Sequence, residues 1–159
     1  MKSLFALLFL IAVPGLNQRD NLITLSDAEK IFGESAKVLE NLTENTDNVK
    51  VRKTTFRANN NDPVKGGTIN LYFMYEEYKY DSSAKRVYND IKVSNQTHEG
   101  FELLKGVGDE AYYHTDKTNF YFILARKGVK MIRMKLNRVT SKSSEAEFKK
   151  ISERIVSNL

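Results

Sequence analysis

The chain has 159 residues, a length that suits one domain, carries a formal charge of +5 and contains no cysteine. The missing thiols exclude disulfide bracing, thiol catalysis, cysteine-ligated metals and a lipid-modified N-terminal cysteine, so packing alone must hold the fold. The mild positive charge permits contact with an anionic surface or polymer without requiring one.

At the start of the chain Lys2 precedes an unbroken apolar run, Leu4 to Val13. A membrane-spanning helix needs roughly 18–20 apolar residues, so this run is too short to cross a bilayer. It has the length of a signal-peptide core, and Val13-Pro14-Gly15 supplies small residues for cleavage. Residues 1–15 are therefore read as a signal peptide, with cleavage as late as Gln18, and residues 22–159 as one domain. Export without cysteine suits a bacterial periplasm or extracellular space better than an animal secretory route.

Ser26-Asp27-Ala28-Glu29 has the form of a capping box, Ala28, Ile31 and Phe32 share a helical face, and Gly33 can close the turn. The polar stretch from Glu34 to Asn48 reads mostly as loop. Val49–Ala58 and Thr68–Glu76 read as two strands of a hairpin whose tip holds Asn59 to Pro63 and Gly66-Gly67. Alternation in the second strand puts Ile69, Leu71, Phe73 and Tyr75 on the core face and Thr68, Asn70, Tyr72 and Met74 opposite. Ser82–Val93 follows as a helix with Ala84, Val87, Tyr88 and Ile91 inward. Three more strands are expected at Ala111–His114, Asn119–Arg126 and Val129–Leu136, the last two joined at Lys127-Gly128. The middle one is apolar on both faces and so central. In the last, Ile132, Met134 and Leu136 face the core while Arg133 and Lys135 face away. A second capping box at Ser144 to Glu147 opens a final helix with Phe148, Ile151, Ile155 and Leu159 in one stripe.

Runs of strands set apart by single helices imply an α+β fold. The expected sheet is mainly antiparallel, of about five strands, with two or three helices packed on it. Phe148, Ile151 and Ile155 should pack on a face that includes Ile69, Leu71, Phe73, Phe122 and Leu124.

Catalytic motifs are nearly absent. The sequence has no phosphate-binding Gly loop, no Gly-x-Ser-x-Gly elbow and no His-Glu-x-x-His, and nothing in it calls for a cofactor. Asp109, Glu110 and His114, with Asp116, are the one group whose residue types could serve a metal-dependent or carboxylate hydrolase. The plainer reading makes His114 a solvent-facing strand end, Glu76 and Glu77 the polar end of a strand, and Gly106 to Asp109 a structural turn in which Asp109 caps a backbone N–H.

The segments SDAEKIFG (26–33) and GVGDEAYY (106–113), a basic strand hairpin and the amphipathic C-terminal helix resemble families of exported bacterial proteins of unknown function. Actinobacterial secreted lipoproteins with a similar glycine segment are one such group, although this chain lacks their lipidated cysteine. That resemblance implies an αβα sandwich of the Mog1/PsbP-like type and brings no catalytic residues with it.

The remaining signal is electrostatic. From residue 120 to 142 there are Arg126, Lys127, Lys130, Arg133, Lys135, Arg138 and Lys142 and no acid. Arg133 and Lys135 lie two apart on one strand face, to which Tyr72 also belongs if the strands neighbour each other. These three residues are the candidate ligand-binding set. An anionic envelope polymer, a lipid headgroup or an acidic protein is the expected partner, and nucleic acid is not. The sequence thus reads as an exported, non-enzymatic binding module, with the hydrolase as its alternative. Serine at 133 and 135 should then weaken retention on an anionic matrix and leave the melting temperature nearly unchanged.

Overall fold

The computed structural model describes residues 22–159. The signal peptide read at residues 1–15 lies outside them. The first helix, α1 (Leu25–Phe32), starts two residues earlier than its Ser26 box predicts. Thr24 is the N-cap: its hydroxyl accepts from the Asp27 amide, and the Asp27 carboxylate accepts from the Thr24 amide and hydroxyl. Gly33 closes the helix in the left-handed region at φ 69°, as expected.

The stretch expected to be loop is instead a ten-residue strand, β1 (Ala36–Asn45). It is exposed along almost its whole length, so no apolar alternation marks it, and its place comes from antiparallel pairing with β2 (Val49–Ala58). A bulge at Leu39 shifts its register between Val38 and Glu40. β2 pairs in turn with β3 (Asn70–Tyr78). Helix α2 (Asp81–Asn95) leads to a three-residue strand, β4 (Phe101–Leu103), which the sequence reading also missed. β5 (Glu110–Thr115), β6 (Tyr121–Lys127), β7 (Lys130–Leu136) and helix α3 (Glu145–Ser157) complete the chain. The two-residue turn between β6 and β7 is Gly128-Val129, one residue later than expected.

All seven strands form one antiparallel sheet in the order β1-β2-β3-β7-β6-β5-β4. The α+β class and the antiparallel sheet are as expected; about five strands was too few, because β1 and β4 carry too little apolar patterning to read. Helices lie on both faces. On one, α1 and α3 cover Leu71, Phe73, Tyr75, Tyr113, Tyr121, Ile123, Ile132, Met134 and Leu136 through Ile31, Phe32, Phe148, Ile151 and Ile155. On the other, Tyr88 of α2 packs on Tyr112, Leu124 and Met131, flanked by Phe101 and Phe122. Phe122 and Leu124 therefore belong under α2 and not under α3. β6 is apolar on both sides, so alternation alone could not say which set meets which helix.

The helix cover is uneven. α2 spans the β3, β7 and β6 region, while among the described residues β1 and β2 have no helix above them on that face. Among the described residues this leaves half of one sheet face open.

A candidate ligand-binding groove on the open half-sheet

Strand register builds the open face row by row. Side chains directly opposite on neighbouring strands point to the same side of a sheet. Thr55 pairs with Tyr72 and Tyr72 with Lys135; Glu40 of β1 pairs with Thr55. One row thus reads Glu40, Thr55, Tyr72, Lys135 across four strands. The next reads Leu42, Lys53, Met74, Arg133. Between these rows lies a groove of about 230 Å³ lined by Glu40, Lys53, Thr55, Tyr72, Phe73, Met74, Arg133 and Lys135. The structure therefore brings Tyr72, Arg133 and Lys135 together, as their parity predicted. Lys53, Thr55 and Met74 were legible in principle from the β2–β3 register. Glu40 was not, because its strand was not recognised.

The charges are arranged differently from the reading of an acid-free basic stretch. Carboxylates from distant segments meet much of it. Arg133 makes a two-pronged pair with Glu76, Nε to Oε2 at 2.8 Å and Nη2 to Oε1 at 2.9 Å. Glu76 is only 6 % exposed, so it is no polar strand end: it is a buried anion that needs its arginine. Tyr78 donates to the same carboxylate at 2.9 Å, and burial, followed by the charge of Glu76, pushes its hydroxyl up to about 12. Arg126 pairs with Asp81 and Glu110, Arg138 with Asp62, and Lys142 with Glu34. Lys127 and Lys130 donate to the carbonyl oxygens of Ser157 and Leu159.

Lys135 is the exception. It is exposed, its ammonium lies 5.6 Å from the centre of the Phe120 ring, and among the described residues it pairs with no carboxylate. Phe120 is positioned by the β5–β6 turn, where the Asp116 carboxylate accepts from the amides of Thr118, Asn119 and Phe120. Its partial desolvation opposes ionisation, but the hydrogen bonds outweigh it and hold Asp116 at about 2. The groove thus offers an apolar floor of Met74 and the Tyr72 ring, the hydroxyls of Thr55 and Tyr72, and one ammonium without an acid beside it. Its volume falls below the roughly 300–1,000 Å³ of drug-sized pockets, so it suits part of a ligand, with the remainder on the open sheet.

Asp109, Glu110 and His114 are not brought together. Asp109 accepts from the Gly128 amide at 2.7 Å, so it does cap a backbone N–H, in the β6–β7 turn. Glu110 holds Arg126 at 2.9 Å. His114 lies four residues along β5, roughly 13 Å away at the strand rise, with Tyr112 between. It is not solvent-facing: it is 8 % exposed, stacked on His98 at 5.7 Å and edge-on to Phe120 at 5.0 Å. Burial, the largest influence, lowers its pKa. Among the described residues no group of three or more His, Asp or Glu side chains is placed to hold a metal ion, and no helix is long and apolar enough to cross a membrane.

The GVGDEAYY segment is accounted for by packing. Gly108 has φ 62°, and a Cβ there would lie 2.5 Å from the Arg126 carbonyl oxygen. Tyr112 and Tyr113 point to opposite faces and enter the two helix-covered cores. No protein-family model, curated protein or solved structure matches the chain.

Proposed function

We propose that this chain is an exported, non-enzymatic module of the bacterial envelope that binds a small ligand, or a short part of a partner, through an anionic group docked in the groove of the open half-sheet. The observation that carries this reading is the exposed ammonium of Lys135 beside the apolar floor of Tyr72 and Met74. Arg133 contributes shape and a partly neutralised charge, because Glu76 already occupies two of its donors. Export rests on the apolar leader at Leu4 to Val13. Helices on both faces of an antiparallel sheet agree with the Mog1/PsbP-like sandwich that the motif resemblance implies, and that assignment is part of the proposal. A hydrolase centred on Asp109, Glu110 and His114 finds no convergent acid and base in this geometry.

The test is retention on a heparin-like matrix and on vesicles containing phosphatidylglycerol, comparing the native protein with Lys135→Ser. Lys135 is exposed, so the variant should melt with the native protein and elute at lower salt. Equal elution would reject the groove as an anion site.

A further inference from the structure

The groove is dipolar. Two of its four charged residues are paired internally: Arg133 with Glu76, and Lys53 with Glu44 at 2.9 Å. The other two, Glu40 and Lys135, form no ion pair among the described residues. They stand at opposite ends of one row, Glu40–Thr55–Tyr72–Lys135, with two hydroxyls between them. Three interstrand spacings of about 4.8 Å separate their strands, so acid and base lie about 14 Å apart across the sheet.

Resting on the groove being the binding site, we infer that its ligand is a short extended peptide with free ends, its amine at Glu40 and its carboxylate at Lys135. An extended chain spans at most about 3.3–3.6 Å per residue, so about four residues cover the row. A groove of about 230 Å³ then takes a middle apolar side chain against Met74 and the Tyr72 ring. The hydroxyls of Thr55 and Tyr72 face the peptide's backbone. Tyr72 already accepts from the Asn70 amide group at 3.0 Å, which leaves its own O–H to donate. A polyanion still reaches Lys135 but binds less tightly than the peptide, because its continued negative charge meets Glu40. A zwitterionic lipid headgroup, its two charges joined by a two-carbon bridge, is too short to engage both ends.

The experiment uses Ala-Leu-Leu-Ala in four forms: free-ended, N-acetylated, C-amidated and capped at both ends. Binding is read by calorimetry and by the Met74 methyl resonance of protein carrying labelled methionine. The free-ended peptide should bind tightest, and each cap should weaken it about two- to fivefold, the worth of one exposed ion pair. In Glu40→Gln the acetyl cap should no longer matter while the amide cap still does; Lys135→Gln should show the reverse. Both residues are exposed, and unchanged melting confirms that the variants fold. If acetylation leaves native binding unchanged or strengthens it, the peptide assignment is overturned and the anion site stands. The same holds if only a heparin tetrasaccharide moves the Met74 methyl. If neither peptide nor tetrasaccharide moves it, both the assignment and the groove fall.

Discussion

Replacing Arg133 by methionine separates a binding residue from a structural one. Both Glu76 oxygens accept from the guanidinium, and the Glu76 side chain is 8 % exposed against 30 % for Arg133. Removing one partner of a buried pair costs about 3–5 kcal/mol, because the remaining charge stays desolvated. Here the lower end applies, since the bond from Tyr78 survives and the Arg133 side admits water, giving about 3 kcal/mol. In a domain of this size that is a fall of about 10 °C in melting temperature. Glu76→Gln should cost much less, about 1 kcal/mol, because Arg133 can turn to solvent. The double variant should melt near Glu76→Gln, well above Arg133→Met alone. The serine pair at 133 and 135 should accordingly melt well below the native protein, contrary to the sequence-based expectation of an unchanged melt. Thermal melts at pH 7 decide the matter. If Arg133→Met melts within about 2 °C of the native protein, or the double variant is no better than Arg133→Met, the buried-pair reasoning is refuted.

Three further outcomes are expected. Ile151 is 4 % exposed in the α3 stripe, so Ile151→Asp should destabilise by at least about 4 kcal/mol, and a melt matching native would displace α3 from the core. Gly108→Ala should cost about 2–4 kcal/mol, since its Cβ meets the Arg126 carbonyl; Gly106→Ala, with φ 77° but open space around it, should cost only about 1–2 kcal/mol, and equal losses would contradict the packing role of Gly108. The folded-state pKa of His114 lies below its ordinary 6.5, chiefly through burial, so the unfolded chain binds its proton first. Its contribution is full above pH 6.5 and is lost as pH falls below that value. His98, Asp116 and Lys135 also act on it. Melts from pH 8 to 5 should therefore decline less steeply in His114→Leu, and an identical slope would remove His114 as the cause.

Much of the sheet could be read from alternation. β3 places Leu71, Phe73 and Tyr75 inward and Tyr72 and Met74 outward, and β7 separates Ile132 from Arg133 in the same way, so the candidate triad followed from parity. β1 could not be read, because AKVLENLTEN has solvent on both faces and is held by backbone pairing to β2. β6 gave its central position but not its facing, since Phe122 and Ile123 are equally apolar. The charge state of the groove was hidden for a different reason. Glu76 and Arg133 are 57 residues apart, and an acid-free stretch of sequence says nothing about acids that the fold brings to it. The capping of α1 slipped by two residues because Thr24 and Asp27 form a box that overlaps the one at Ser26 and Glu29.

The groove is most directly tested at Met74. Methionine methyl labelling reports three described sites at once: Met74 in the groove, Met131 under α2 and Met134 beneath α1 and α3. Titration with a heparin tetrasaccharide and with the free-ended tetrapeptide at low salt should move the Met74 methyl while Met131 and Met134 stay in place. The shift should shrink at 0.15 M salt, where screening acts over about 8 Å, and at a given ligand concentration should be smaller in Lys135→Ser than in the native protein. A Met74 resonance that stays fixed under both ligands, or moves equally in native protein and Lys135→Ser, would contradict a binding role for the open half-sheet.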